Sequence, residues 1–119
     1  MSGRRDWRAR LEGLEAQELR DGWVVHVARG YNERRRGLAG LDELPRGHAL
    51  HILRCPTVHT VGMRFALDLV WLDGDGAVVR VDRDVRPWRV KGCRRARTVV
   101  EVGASGADDL LAAGLGAAG

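Results

Sequence analysis

Apolar positions along the chain fall into short runs of strand formers separated by turn residues, a pattern that predicts a mainly β protein. Asp21-Gly22 is a hairpin-turn pair, and Trp23 to Ala28 follows it as a run rich in strand formers, which predicts a hairpin joining roughly residues 14–20 to 23–29. Residues 31–41 are charged and then small and apolar, as in a short helix ending near Gly37 or Gly40. Leu44-Pro45-Arg46-Gly47 is a turn into a strand from His48 to Leu53, which Pro56 closes off. From Phe65 to Leu72 both parities are apolar except at Asp68, so this strand is expected to be covered on both faces. Asp73-Gly74-Asp75-Gly76 turns it into Ala77 to Val81, a second hairpin. Thr98 to Val102 is a late strand, and 107–113 a short helical segment with Ser105 as its N-cap. Five to seven short strands with one or two short helices predict a small β-sandwich or partly closed barrel (mainly β, with a minor α+β character).

Composition narrows this picture. A chain of 119 residues fits one domain, placed at 13–116 between a charged, poorly ordered segment at 1–12 and a tail at 117–119. Only six residues are aromatic, so Val, Leu and Ala must fill the core. The net charge is +4, and every basic residue but Lys91 is Arg, which reads as the codon bias of a GC-rich, bacterial genome. Cys55 and Cys93 do not make a disulfide framework and are expected to be free thiols. No apolar run is long enough to span a membrane and no leader is visible, so a soluble, cytoplasmic protein is expected.

Arg35-Arg36-Gly37-Leu38, Val58 to Phe65, Leu67-Asp68 and Leu72 to Gly76 occur in an order and spacing that resemble the family catalogued as domain of unknown function 192. Arg86-Pro87 and Val99-Val100-Glu101-Val102 close the pattern, which covers roughly residues 23–116. The family pattern often has Trp-Met-Lys-Asn-Thr where this chain has Val58 to Met63, and Pro where it has Ala66. The resemblance implies a compact β-rich fold and brings no established activity.

Asp68 draws most attention as candidate chemistry, because a carboxylate inside a buried strand costs several kcal/mol unless it is paired or hydrogen-bonded. Arg36, Arg64, His59 and Thr60 are the expected partners. Asp68 then either buckles the sheet internally or forms the floor of a pocket that orients a ligand. His59 could act as a base steered by Asp68, and Cys55 would complete a nucleophilic set on paper. His48 and His51 fall on opposite strand faces, so no metal site is expected, and Asp73 and Asp75 are turn residues. Arg80 to Arg97 holds eight basic residues against Asp82 and Asp84, with Trp88 inside the run, which is the footprint of a nucleic-acid surface or of a solvated loop.

These residues support an accessory domain, more a binding protein than an enzyme. It would take a small anionic ligand or a partner protein in a cleft near His59, Thr60 and Asp68, with Met63 beside them and Arg36 and Arg64 supplying positive charge. The alternatives are a nucleic-acid-binding module on Arg80–Arg97 and a small hydrolase or transferase using His59 and Asp68. No cofactor is implied, and the oligomeric state is left open.

Overall fold

The runs of Val, Leu and Trp lie side by side as the middle of one sheet. The computed structural model describes residues 6–116. In chain order its elements are α1 (Trp7–Leu11), β1 (Glu15–Glu18), β2 (Val24–Ala28), α2 (Tyr31–Arg36), β3 (His48–Ile52), β4 (Thr57–His59), β5 (Leu67–Leu72), β6 (Val78–Val85), β7 (Val90–Gly92), β8 (Thr98–Gly103) and α3 (Ala107–Ala112). Six strands form an open sheet in the order β1-β2-β3-β8-β5-β6, and β4 pairs with β7 in a second, two-stranded sheet. The expected mainly β architecture is therefore what the chain adopts, as two packed sheets with no closed barrel. β4 and β7 are too short and too exposed to leave an apolar run in the sequence. Among the described residues, no helix is long and apolar enough to cross a membrane.

Both expected hairpins form, and turn chemistry explains each. β1 and β2 pair antiparallel, and their connection carries positive φ at Asp21 (59°) and Gly22 (77°). An Asp-Gly pair accepts that conformation at little cost. Between β5 and β6, Asp73 Oδ1 accepts hydrogen bonds from the backbone amides of Asp75 (2.9 Å) and Ala77 (3.0 Å). Helix α2 stops at Gly37, whose φ is 51°.

Two features at the ends stand apart from the expected pattern. Within the segment expected at 1–12, Trp7–Leu11 forms α1, which Asp6 caps by accepting from the Arg8 amide, and Leu11 enters the core. Ser105 does not cap α3; Gly106 holds the N-cap position and makes no side-chain cap. The tail at 117–119 lies outside the described residues, as do residues 1–5.

The central strands are covered on both sides. One face packs Leu50, Ile52, Leu67, Leu69, Trp71 and Val99 against Leu11, Leu38, Leu41, Val58 and Met63. The other packs Val25, Ala49, Val70, Leu72, Val100 and Val102 against Ala107 and Leu110 of α3. All six residues of β5 are buried, as the apolar run at both parities predicts. The Trp71 indole N–H donates to Asp82 Oδ2 at 2.9 Å, which satisfies its one polar atom.

Asp68 sits on the α3 face, 1% exposed. Its Oδ1 accepts from the Asp84 amide at 2.9 Å, and its Oδ2 accepts from the Ala107 amide at 3.1 Å. Asp84 has a φ of 52° and lies where the β5–β6 register shifts, so the carboxylate pins a bulge with one oxygen. With the other it does the capping at α3 that Ser105 does not. Its partners are thus backbone amides, in place of the expected Arg36, Arg64, His59 and Thr60.

Replacing Asp68 with Ala would leave both amides without an acceptor in the interior. We expect Asp68→Ala to lower stability by about 3 kcal/mol, since each hydrogen bond to a charged group is worth roughly 1.5–3 kcal/mol. His59 is exposed, and His59→Ala should change stability by only about 0.5 kcal/mol. Urea melts of the two variants check this, and equal midpoints would refute the role given to Asp68.

Candidate functional site

On the sheet face opposite α3, the turn after α2 and the strand β4 rise on either side of a groove of about 260 Å³. Leu38, Ile52, Val58 and Met63 make its apolar walls, and all four are buried. Arg34, Arg35 and Arg36 from α2, with Arg54 and His59 from the far side, bring polar groups to it. Cys55 and Glu101 also line it.

Glu101 is the unexpected member. It occupies the middle of β8, opposite Leu50 on β3 and Leu69 on β5, so its carboxyl lies within an apolar row. The residue is 4% exposed, and among the described residues Oε1 has no hydrogen-bond partner. Burial disfavours the carboxylate form and pushes its pKa up to about 7. The space beside it exists because residue 37 is glycine: a Cβ there would stand 3.2 Å from Glu101 Oε1 and 3.7 Å from Ile52 Cδ1. The positive φ of Gly37 independently disfavours any other residue.

Arg34 faces the same groove with the complementary defect. Its guanidinium donates through NH1 to the Leu53 carbonyl at 3.4 Å, while its buried Nε has no partner among the described residues. Two residues lining the groove thus each hold one buried polar atom with no partner among the described residues, a donor on Arg34 and an acceptor on Glu101. Buried polar atoms of this kind are rare in folded proteins and call for an explanation. Moreover, no carboxylate among the described residues pairs with Arg34, Arg35, Arg36 or Arg54, whereas Arg64 pairs with Asp42, Arg80 with Asp82 and Arg83 with Asp108.

The expected site residues divide in two. Arg36, His59 and Met63 line the groove. Thr60, Arg64 and Asp68 do not, so the cleft expected near His59, Thr60 and Asp68 does not form as one site. The Thr60 hydroxyl donates to the Arg86 carbonyl (2.7 Å) and accepts from the Arg89 amide (2.7 Å), clamping the β6–β7 loop to the end of β4. Arg64 pairs with Asp42 at 3.0 Å on the surface. Asp68 belongs to the other face of the sheet, so it cannot orient His59, and the His59–Asp68 pair required for base catalysis is not assembled. Cys55 donates to the Thr57 carbonyl at 3.1 Å, and burial pushes its thiol above the ordinary value, the reverse of what a nucleophile needs. Both cysteines are unbridged.

The remaining polar candidates lie elsewhere. His48 and His51 point to opposite faces: His48 Nδ1 meets His26 Nε2 at 3.1 Å, and His51 Nε2 meets the Thr98 hydroxyl at 2.8 Å. Among the described residues, no three His, Cys, Asp or Glu side chains cluster as a metal site would need. Trp88 is 71% exposed, with φ at 67°, at the tip of the β6–β7 loop. Around it the basic run is partly neutralised, since Arg80, Arg83 and Arg86 each have an acidic partner.

Comparison with known proteins agrees with the fold. Residues 14–113 match the family DUF192, described as an uncharacterised conserved family. A crystal structure from Sinorhizobium meliloti 1021, described as a "putative transcription regulator", superposes with a TM-score of 0.68 at 18% identity, over 79% of this chain and 78% of that one. A protein of unknown function from Novosphingobium aromaticivorans superposes with a TM-score of 0.65, also at 18% identity, over 84% of this chain and 89% of that one. At that identity the likeness is one of fold alone. No curated protein matches the sequence.

The position of Glu101 makes stability depend on pH. Its folded-state value lies near 7 and its unfolded value in the ordinary carboxylate range, so between the two the native state holds the proton more tightly. Stability from this group is therefore greatest in acid and falls as pH rises through 7. Glu101→Gln cannot ionise, and its stability advantage over the native chain should grow by about 2–3 kcal/mol from pH 5 to pH 8. Denaturant melts at the two pH values measure it; an unchanged gap would mean that Glu101 is solvated or paired.

Proposed function

Because the chain belongs to the uncharacterised family DUF192, which brings no activity with it, we propose a function from the groove alone: a non-enzymatic domain that binds a small anionic ligand between α2 and β4. The observation that carries this reading is the buried, unpartnered Nε–H of Arg34 in a groove that also draws on Arg35, Arg36 and Arg54. A guanidinium is always charged and its N–H fork matches carboxylate or phosphate oxygens, so an anion would complete it. The apolar walls exclude water and strengthen that contact. His59, at the edge, can add a further hydrogen bond to the ligand. A cytoplasmic location agrees with two cysteines that stay unbridged.

A second reading has one observation behind it. The exposed Trp88 ring, flanked by Arg86 and Arg89, is suited to stacking a nucleobase. The description of the Sinorhizobium structure as a "putative transcription regulator" would fit such a role. Against it stand the carboxylates that already pair with Arg80, Arg83 and Arg86.

The two readings separate in solution. Titration with inorganic phosphate, followed by amide chemical shifts, should move residues 34–38, 54–59 and 101. Arg36→Ala and Arg54→Ala should each weaken the binding severalfold, while the Arg94, Arg95 and Arg97 triple alanine variant should leave it intact. Absence of any shift at the groove would sink the anion reading. Tight binding of single-stranded RNA or DNA, with a log–log salt slope of about −0.7 per phosphate, would favour the second.

A further inference from the structure

The anion reading accounts for Arg34 and leaves Glu101 unexplained. A carboxyl placed between Leu50 and Leu69 carries a desolvation cost that no hydrogen bond to Oε1 offsets among the described residues. Were Glu101 a structural residue, a partner of the kind Asp68 has would be expected: two backbone amides within 3.1 Å. Its unpaired oxygen instead abuts the backbone at Gly37, and the residue forms part of the groove that Arg34 faces. An anion with no other polar group would answer Arg34 and set a second negative charge near Glu101. A ligand bearing a donor would answer both.

We propose that the groove selects an anion that also carries a hydroxyl or amino group, its anionic oxygen taking the Arg34 Nε–H and its O–H or N–H donating to Glu101 Oε1. The inference rests on the reading of the groove as an anion site and adds the identity of the group at its floor. The ligand class is thus a hydroxy- or amino-substituted phosphate or carboxylate, small enough for about 260 Å³. Selectivity follows from the asymmetry of buried polar groups: a ligand that ends in a methyl leaves Glu101 as unsatisfied as before and removes its remaining contact with water.

Three phosphate monoesters of equal length test this by calorimetric titration of the full chain: n-propyl, 2-hydroxyethyl and 2-aminoethyl phosphate. The hydroxyl and amino esters should bind at least tenfold more tightly than the propyl ester. Glu101→Leu, which removes the buried carboxyl and keeps an apolar side chain, should bring the three affinities together. Arg34→Lys, which lacks the Nε–H, should weaken all three alike. Should Glu101→Leu fail to fold, Glu101→Gln must still narrow the preference for the amino ester, because it loses the charge that attracts an ammonium group. Equal binding of all three esters by the native chain, or a preference that survives at Glu101→Leu, overturns the inference and leaves the anion reading standing. Failure of every ester to bind overturns both.

Discussion

The carboxylate of Asp68 ties β5 at one point to both the β6 bulge and the start of α3. One oxygen fixes the β5–β6 bulge at Asp84, and the other caps the α3 segment at Ala107. The bulge marks a register shift between β5 and β6, and past the cap Ala107 and Leu110 pack with Val70, Val100 and Val102. Three β5 side chains on the opposite face (Leu67, Leu69 and Trp71) are thereby held against the core that floors the groove. A buried charge is tolerated here because both of its oxygens are answered by amides whose own burial would otherwise be costly.

Glu101 is the counterexample one strand away. It sits in an apolar row on the opposite face with almost the same burial, yet among the described residues no amide or guanidinium reaches its Oε1. Two acids on opposite faces of the same central strands therefore have opposite energetic standing: one contributes stability, and the other subtracts from it as pH rises. An unsatisfied group of the second kind is the defect that the proposed ligand would relieve. Gly37 supports this view, since the helix α2 stops at the one residue type that leaves room beside the carboxyl and can take the required backbone conformation. The Arg-Gly-Leu segment thus supplies the guanidiniums, the space and the first apolar wall within four positions.

Much of the fold was legible in the sequence because local signals and long-range packing agreed. Asp21-Gly22 and Asp73 to Gly76 form turns through their own side chains and φ preferences, and the doubly apolar β5 run could only be a covered strand. The short strands β4 and β7 were not legible, because their ladder depends on a partner some thirty residues away and on Thr60 closing the loop. The groove was half legible. Arg36, His59 and Met63 came from motif order, but Asp68 was credited to the site because its strand parity could not be assigned to a face. The signal that found Asp68, an acid inside a strand of Val and Leu, is present again at Val99-Val100-Glu101-Val102. There it was read only as a family landmark. Burial of a carboxylate can be inferred from such a run; whether amides will reach it depends on which bulge or helix end folds onto that face, which no local pattern encodes.

The arrangement of charge is what favours the proposed anion site in the groove over the longer basic run. Arg80, Arg83 and Arg86 have their counter-charges within the chain, and pairs of this kind on the surface are screened by water and salt. Arg34, Arg35, Arg36 and Arg54 at the groove have no carboxylate partner among the described residues, and Arg34 is partly withdrawn from water. A charge in that position acts over a short distance in a medium less polarisable than solvent, so a single oxygen placed there gains more than one laid on the exposed loop. Local geometry therefore outweighs the count of arginines. What sets the groove arginines apart is their place over a buried apolar floor, since Arg89, Arg94, Arg95 and Arg97 in the basic run likewise pair with no carboxylate among the described residues.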